Sequence, residues 1–295
     1  MEKKTVLVFD AAQRSALAVT RSLGKRADIT VITSDARPEA LAGHSKYSST
    51  YLPSPDPAED VQAFINWLNK VITEKKIDFL LPVTEITSRT LLEHQDDIST
   101  ASLPFAPLNT ILALSDKNAL TRLAAEQGIP VPMSGYYNNI TDVDTADLIF
   151  PCVLKPALSK VKVGNTWLTT QVHIVQSPEE FTHIKTTALY FSHPFMVQQY
   201  IDGHGAGLFC YYQRGKAKAF FAHKRLREKP PSGGVSVLSE SAPVDPQMKQ
   251  YAEKLMNSVN WHGAAMIEFK VASDGTPYLM EVNTRLWGSL QLAID

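Results

Sequence analysis

The sequence predicts an α/β chain: a doubly wound parallel sheet, then an α+β region built on antiparallel hairpins. Three observations carry this expectation. Apolar runs of strand length alternate with amphipathic stretches over about the first 110 residues. That alternation breaks down after about residue 115. Near the end of the chain, Asp274-Gly275 separates two apolar-rich runs, a strong hairpin signal.

The elements follow in order. Residues 5–10 read as a buried strand, 14–24 as an amphipathic helix stopping near Gly24, and 29–33 as a second strand. Tyr51-Leu-Pro-Ser-Pro-Asp-Pro57 reads as loop. Helical periodicity returns over 59–75 in Val61, Phe64, Ile65, Leu68, Val71 and Ile72. Residues 77–83 form a third strand, and a helix runs from Glu85 to Gln95. Such sheets bind ligands beyond the carboxyl ends of their strands. Asp35 stands where a ribose-binding acid would, but the first turn, Asp10-Ala-Ala-Gln-Arg-Ser15, has no glycine, which argues against NAD.

Residues 115–128 read as a capped helix with a glycine stop. Pro151 to Pro156 is a short buried strand that carries Lys155. Ser177 and Glu180 form a capping box ahead of a helix. Phe195–Ile201 is strand-like and runs into Asp202-Gly-His-Gly-Ala-Gly207. Residues 207–224 read as a hairpin turning at Arg214-Gly215. Arg225 to Val235 reads as loop, and a helix covers 245–258.

Composition narrows the function. The chain has 295 residues, 44% hydrophobic and 20% charged, as in an ordinary globular protein of two or three domains. With 29 basic and 30 acidic residues it has no nucleic-acid footprint. Cys152 and Cys210 are too few for a disulfide framework or a cysteine zinc site. There is no signal peptide and no 18-residue apolar stretch, so the expectation is a cytoplasmic enzyme with no membrane partner.

The last hairpin carries the chemistry. If Asp274 and Gly275 alone are the loop, Ser273 pairs with Thr276, and counting outward sets Glu268 opposite Glu281. Opposed residues have Cβ atoms about 4.5–5.5 Å apart, and like charges there are destabilising. Asn283 and Arg285 share that face by the period of two. Two carboxylates and an amide oxygen on one surface suit a hard cation such as Mg²⁺. The competing reading is a pair of glutamates on the wet side of an edge hairpin. A three-residue loop would slip the register by one and place them on opposite faces.

Other features lie upstream. Lys155 ends a hydrophobic strand, where it can meet a phosphate as a point charge or serve as a solvated strand end. Val197-Gln-Gln-Tyr-Ile201 offers backbone groups to a flat heterocycle, or is plain strand. Gly203, Gly205 and Gly207 alternate at period two. Arg225, Arg227, Lys229 and Ser232-Gly-Gly234 combine cations with a nest of N–H groups, or form an exposed loop.

Together these residues resemble the ATP-grasp superfamily. The match runs through Asp116-Lys117, Leu154-Lys155-Pro156, Val197–Gly203, Lys224-Arg225, Pro230–Gly234, Glu268 and Glu281-Val-Asn-Thr-Arg-Leu-Trp-Gly-Ser289. It is nearest to carbamoyl-phosphate-synthase-like proteins and carboxylate–amine ligases. The resemblance implies a Rossmann-like domain over 1–113, a small grasp lobe over 114–194 and a large lobe over 195–295. It implies that Lys117 and Lys155 contact nucleotide phosphates, that the hinge Gln198, Gln199, Tyr200 and Ile201 borders the adenine, and that backbone groups of Gln199 and Ile201 read its edge. Glu268, Glu281 and Asn283 would hold Mg²⁺, with Mn²⁺ as a substitute. Arg285 and Arg225 would face the transferring phosphate. Ser232, Gly233 and Gly234 would close over the substrate.

The implied activity is ADP-forming activation of a small-molecule carboxylate as an acyl phosphate, followed by attack of an amine or another nucleophile. A homodimer is compatible with it. The other readings are a phosphotransferase that stops at phosphorylation and a non-catalytic nucleotide-binding module acting with a partner. Two departures stand out. The loop after Lys155 has one glycine where relatives have several, with Lys160 and Lys162 as candidate replacements for its N–H groups. The chain also stops one short helix past the last motif, which suggests a fragment of a longer protein.

Overall fold

The early alternation builds β1 (Lys4–Val8), α1 (Arg14–Gly24), β2 (Ile29–Asp35), β3 (Thr50–Pro53), α2 (Val61–Lys75), β4 (Phe79–Leu81) and α3 (Glu85–Glu93). The computed structural model describes residues 3–163, 166–229 and 235–295. Its first sheet is parallel in the order β3-β2-β1-β4. β3 corrects the loop reading of Tyr51–Pro53: an edge strand tolerates proline because one side of its backbone has no ladder to join.

Asp10 joins the carboxyl end of β1 to the start of α3. Its carboxylate accepts from the Val83 and Thr84 N–H groups, both at 2.9 Å, and from the Thr84 and Thr87 hydroxyls at 3.0 and 2.6 Å. Asp10 sits at φ 54°, in the left-handed region that Asp enters more readily than most residues. Burial still pushes its carboxyl pKa up, despite these donors.

Two helices follow, α4 (Leu108–Ser115) and α5 (Lys117–Glu126); the sequence pattern gave no sign of the first. Asp116 caps α5, accepting from the Asn118 and Ala119 N–H groups at 2.8 and 3.0 Å. Next come β5 (Ser134–Tyr137), β6 (Cys152–Pro156), β7 (Lys160–Val163), β8 (Thr166–Thr169), β9 (His173–Val175), α6 (Pro178–Thr187) and β10 (Phe195–Gln199). An antiparallel sheet orders them β5-β10-β6-β9, and β7 pairs with β8. This lobe has its own core, from Ile140 through Phe181 and Phe191 to Val197.

The large sheet contains β11 (Gly203–Gln213), β12 (Lys216–Lys229), β13 (Val235–Ala242), β14 (Gly263–Ala272) and β15 (Pro277–Asn283), in the order β13-β12-β11-β14-β15. Between them runs α7 (Pro246–Ser258), and α8 (Leu290–Ile294) ends the chain. The expected hairpin at Arg214-Gly215 forms, with both residues at positive φ. Arg225–Lys229 is strand, not loop: with Arg227 and Lys229 exposed, it continues β12 through two register shifts against β13.

The faces of the large sheet have different partners. Leu208, Tyr212, Ile267 and Val282 pack on α4, α5 and α7. On the opposite face, Phe209 joins Trp287 and Leu290 in one cluster with β1 and α1 of the first sheet.

Candidate functional site

Glu268 on β14 and Glu281 on β15 are paired directly, as the sequence count expected. The route differs. The turn holds three residues, Ser273–Gly275: Ala272 donates to the Thr276 carbonyl at 3.0 Å and Gly275 to the Ala272 carbonyl at 2.9 Å. Gly275 has φ 88°, which favours glycine. This turn sets Phe269 opposite Leu279, one residue out of register. Met280 then enters as a bulge, and Glu268 meets Glu281 again. Leu279 and Val282 are both buried, so the two residues between them, Met280 and Glu281, take the open side.

A row of paired positions crosses the sheet: His223, Gly207, Glu268 and Glu281. Gly207 is bare because a Cβ there would lie 3.2 Å from the Phe209 ring and 3.4 Å from the Met266 methyl. From the next rung of β12, Arg225 Nη2 reaches Glu268 Oε1 at 3.0 Å.

Other elements bring the rest. Lys117 opens α5, is buried, donates to Ser159 Oγ at 3.2 Å and stands 3.7 Å from Glu281 Oε2. Lys155, buried at the end of β6, has its Nζ 3.3 Å from Met280 Sδ. Asn283 Nδ2 donates to Glu281 Oε1 at 3.0 Å, and Asn283 Oδ1 accepts from Arg285 Nη2 at 3.1 Å. Glu85, the first residue of α3, completes a pocket with Ser115, Lys117, Ser159, Glu281 and Arg285.

Residues 191–295 match a family model described as ATP-grasp in the biosynthetic pathway with Ter operon. Among solved structures, the L-amino acid ligase from Bacillus licheniformis superposes with a TM-score of 0.70 at 16% identity, over 99% of this chain and 69% of that one. The whole chain thus shares its fold with this ligase, and residues 191–295 resemble an ATP-grasp family. N5-carboxyaminoimidazole synthetase from Staphylococcus aureus gives a TM-score of 0.71 at 15% identity, over 98% of this chain and 74% of that one. The biotin carboxylase domain dimer of 2-oxoglutarate carboxylase from Hydrogenobacter thermophilus, determined with MgADP, ADP and bicarbonate, gives 0.70 at 16%, over 97% and 65%. No curated protein sequence matches significantly.

Within this fold, four cations, Lys117, Lys155, Arg225 and Arg285, surround the Glu268 and Glu281 carboxylates. That leaves an excess of positive charge suited to a polyphosphate. Burial pushes the Lys155 pKa down to about 8, against the attraction of Glu281. Burial, with Glu281 opposite, pushes Glu268 up. Burial also acts to raise Glu281, but Lys117, the Asn283 hydrogen bond, Lys155 and Arg285 hold it below the usual range. The pair is thus under like-charge stress, which a divalent cation would relieve. Among the described residues no group of three His, Cys, Asp or Glu is placed to hold a metal ion. Two carboxylates and an amide oxygen still fit Mg²⁺, which is held by one or two carboxylates and completes its shell with phosphates and water.

The hinge residues are placed less openly. Gln198 is buried and donates from Nε2 to Ser134 Oγ at 3.1 Å. The Gln199 N–H donates to the Met133 carbonyl at 2.8 Å, so it is already spent. Tyr200 and half-buried Ile201 lie between β10 and β11, outside any ladder. Ser232, Gly233 and Gly234 lie outside the described residues, as does the Lys162 side chain. Lys160 belongs to β7. The sequence analysis missed Glu85, Ser159, Met280 and His223. For Glu85 a signal existed, since it follows a strand at the carboxyl edge of a parallel sheet. No helix among the described residues is long and apolar enough to cross a membrane.

Proposed function

We propose that this chain is an ATP-dependent, ADP-forming ligase that activates a carboxylate as an acyl phosphate and passes the acyl group to an amine. The observation that carries the proposal is the Glu268–Glu281 pair, tied through Asn283 to Arg285 and flanked by two buried lysines. The fold supports it, because the structures it resembles include an L-amino acid ligase and a carboxyaminoimidazole synthetase.

In this reading Lys117 and Lys155 hold the nucleotide phosphates, and the hinge at Gln198–Ile201 borders the base. Glu268, Glu281 and Asn283 would hold Mg²⁺, which when bound draws charge from phosphate oxygens. A substrate carboxylate oxygen attacks the γ-phosphorus as the bond to ADP breaks. Arg285, oriented by Asn283, faces the transferring group, and Arg225 adds charge from the neighbouring strand. The amine then attacks the acyl carbon, inorganic phosphate leaves with the bonding pair, and the amine loses a proton. Ser232–Gly234 would cover the intermediate and keep water out.

The test is ADP release with pools of amino acids and other carboxylates, with and without amines. The expected result is release that needs both a carboxylate and an amine, with an amide as product. ADP with a stable phosphorylated product and no need for amine would make the chain a phosphotransferase. Nucleotide binding with no turnover would make it a binding module.

A further inference from the structure

A second cavity lies away from the glutamate pair. It has a volume of about 250 Å³ and opens at the carboxyl edge of the first sheet, between the ends of β1, β2, β3 and the start of α3. Such edges are where open α/β sheets take ligands. We propose that this cavity holds the nucleophile of the reaction, and that the nucleophile is a basic amine. The inference rests on the ligase reading and assigns its second substrate.

The charge in the cavity is the first support. Asp10, Asp35 and Asp56 line it, against one guanidinium, Arg37. The Arg37 side chain is 70% exposed and 3.9 Å from Asp35, so it stands at the mouth and not in the interior. The N-terminus of α3 would by itself attract an anion. Here its cap residue Thr84, with Thr87, is committed to Asp10, and its first residue is Glu85. A phosphate or carboxylate entering would therefore face three acidic side chains with a single cation at the mouth.

A second observation points to a ligand. Ser34 lines the cavity, is fully buried, and its hydroxyl oxygen has no hydrogen-bond partner. A buried hydroxyl left unpaired is costly, and a bound polar group would satisfy it. The cavity and the glutamate site are both bordered by the first turn of α3. Thr84, Ile86 and Thr87 form the cavity wall, while Glu85, in the same turn, lines the pocket of Lys117, Glu281 and Arg285. An amine leaving the cavity past this turn would meet the Glu85 carboxylate on the phosphate side. Glu85 can accept the proton the amine loses as the new bond forms.

The test uses the whole chain and four probes: putrescine and glucosamine as cations, glucose 6-phosphate and succinate as anions. Calorimetry without nucleotide should show binding of the cationic probes alone. Asp56→Asn and, separately, Ser54→Arg should weaken that binding by about tenfold or more while ATP affinity stays unchanged. In turnover, hydroxylamine is small enough to trap an acyl phosphate without a pocket. Hydroxamate formation should persist in both variants while the KM for the cationic amine rises. Binding of the anionic probes alone, or unchanged amine binding in both variants, overturns the proposal. If the wild type forms no hydroxamate with any carboxylate, the ligase reading fails, and the calorimetry still decides the cavity.

Discussion

Glu268 and Glu281 face each other across one rung although three residues, not two, turn the hairpin between them. The odd turn alone would point them to opposite faces. Met280 supplies the second odd residue, and the two shifts cancel. The bulge also lays the Met280 thioether against Lys155.

Deleting Met280 should therefore be tolerated better than a deletion in a strand usually is. The three-residue turn then continues into a regular ladder, and the carboxylates stay opposed. Mn²⁺ affinity should remain within about threefold of wild type, while ATP affinity changes because Lys155 loses a contact. Titration calorimetry with each checks this. Loss of Mn²⁺ binding in a folded variant would show that the bulge itself aims Glu281.

Glu281→Gln keeps the shape and the Asn283 contact but removes the charge that Lys117 and a metal need. ADP release should fall by about 100-fold or more. The melting temperature should stay close to wild type. Retained turnover in the folded variant would sink the metal assignment.

Lys155 gives a pH dependence. Its pKa in the empty site is about 8, so it is charged below that and neutral above. A neutral amine gives a phosphate no charge. ATP affinity should decline as pH rises through about 8, and Lys155→Arg should flatten the decline, since guanidinium stays protonated. Parallel curves for both proteins would remove Lys155 from phosphate binding.

His223 affects stability instead. Burial, then Arg225 nearby, pushes its pKa down to about 4, and Ser289 Oγ lies 3.1 Å from Nδ1. The fold prefers the neutral ring. Its contribution is fully present above the ordinary histidine pKa of 6.5 and is lost as pH falls toward 4. His223→Asn should be less stable than wild type at pH 7, with the gap narrowing by pH 4.5. Urea unfolding at the two pH values measures it, and a constant gap would contradict the assignment.

Much of this was legible because the signals were local. The first sheet declared itself through strand and helix periods, and the site residues lay in chain order from Lys117 to Arg285. Tyr51–Pro53 misled because Pro53, with Pro55 and Pro57 close behind, reads as loop, although an edge strand accepts a proline at its end. Arg225–Lys229 misled because charge on an exposed strand looks the same as charge on a loop. The bulge at Met280 was invisible for a stricter reason. A two-residue turn without a bulge and a three-residue turn with one give the same Glu268–Glu281 pairing, and only Leu279 packing inward beside Val282 tells them apart. The amine cavity depends on Asp10, Ser34 and Asp56, residues far apart in sequence and without periodicity.

The separate core of the β5-β10-β6-β9 lobe has a mechanical consequence. The large sheet is bonded to the first sheet by Phe209, Trp287 and Leu290, so those two parts make one anvil. The small lobe shares no part of that cluster and is filled from within. It can rock as a hammer while its own core stays packed, exchanging only border contacts such as Met196 with Thr121 and Lys155 with Met280. Lys155 rides on the hammer, and Lys117, Glu268, Glu281 and Arg285 sit on the anvil. The distance between Lys155 and the carboxylates is then the coordinate along which the site is loaded and struck.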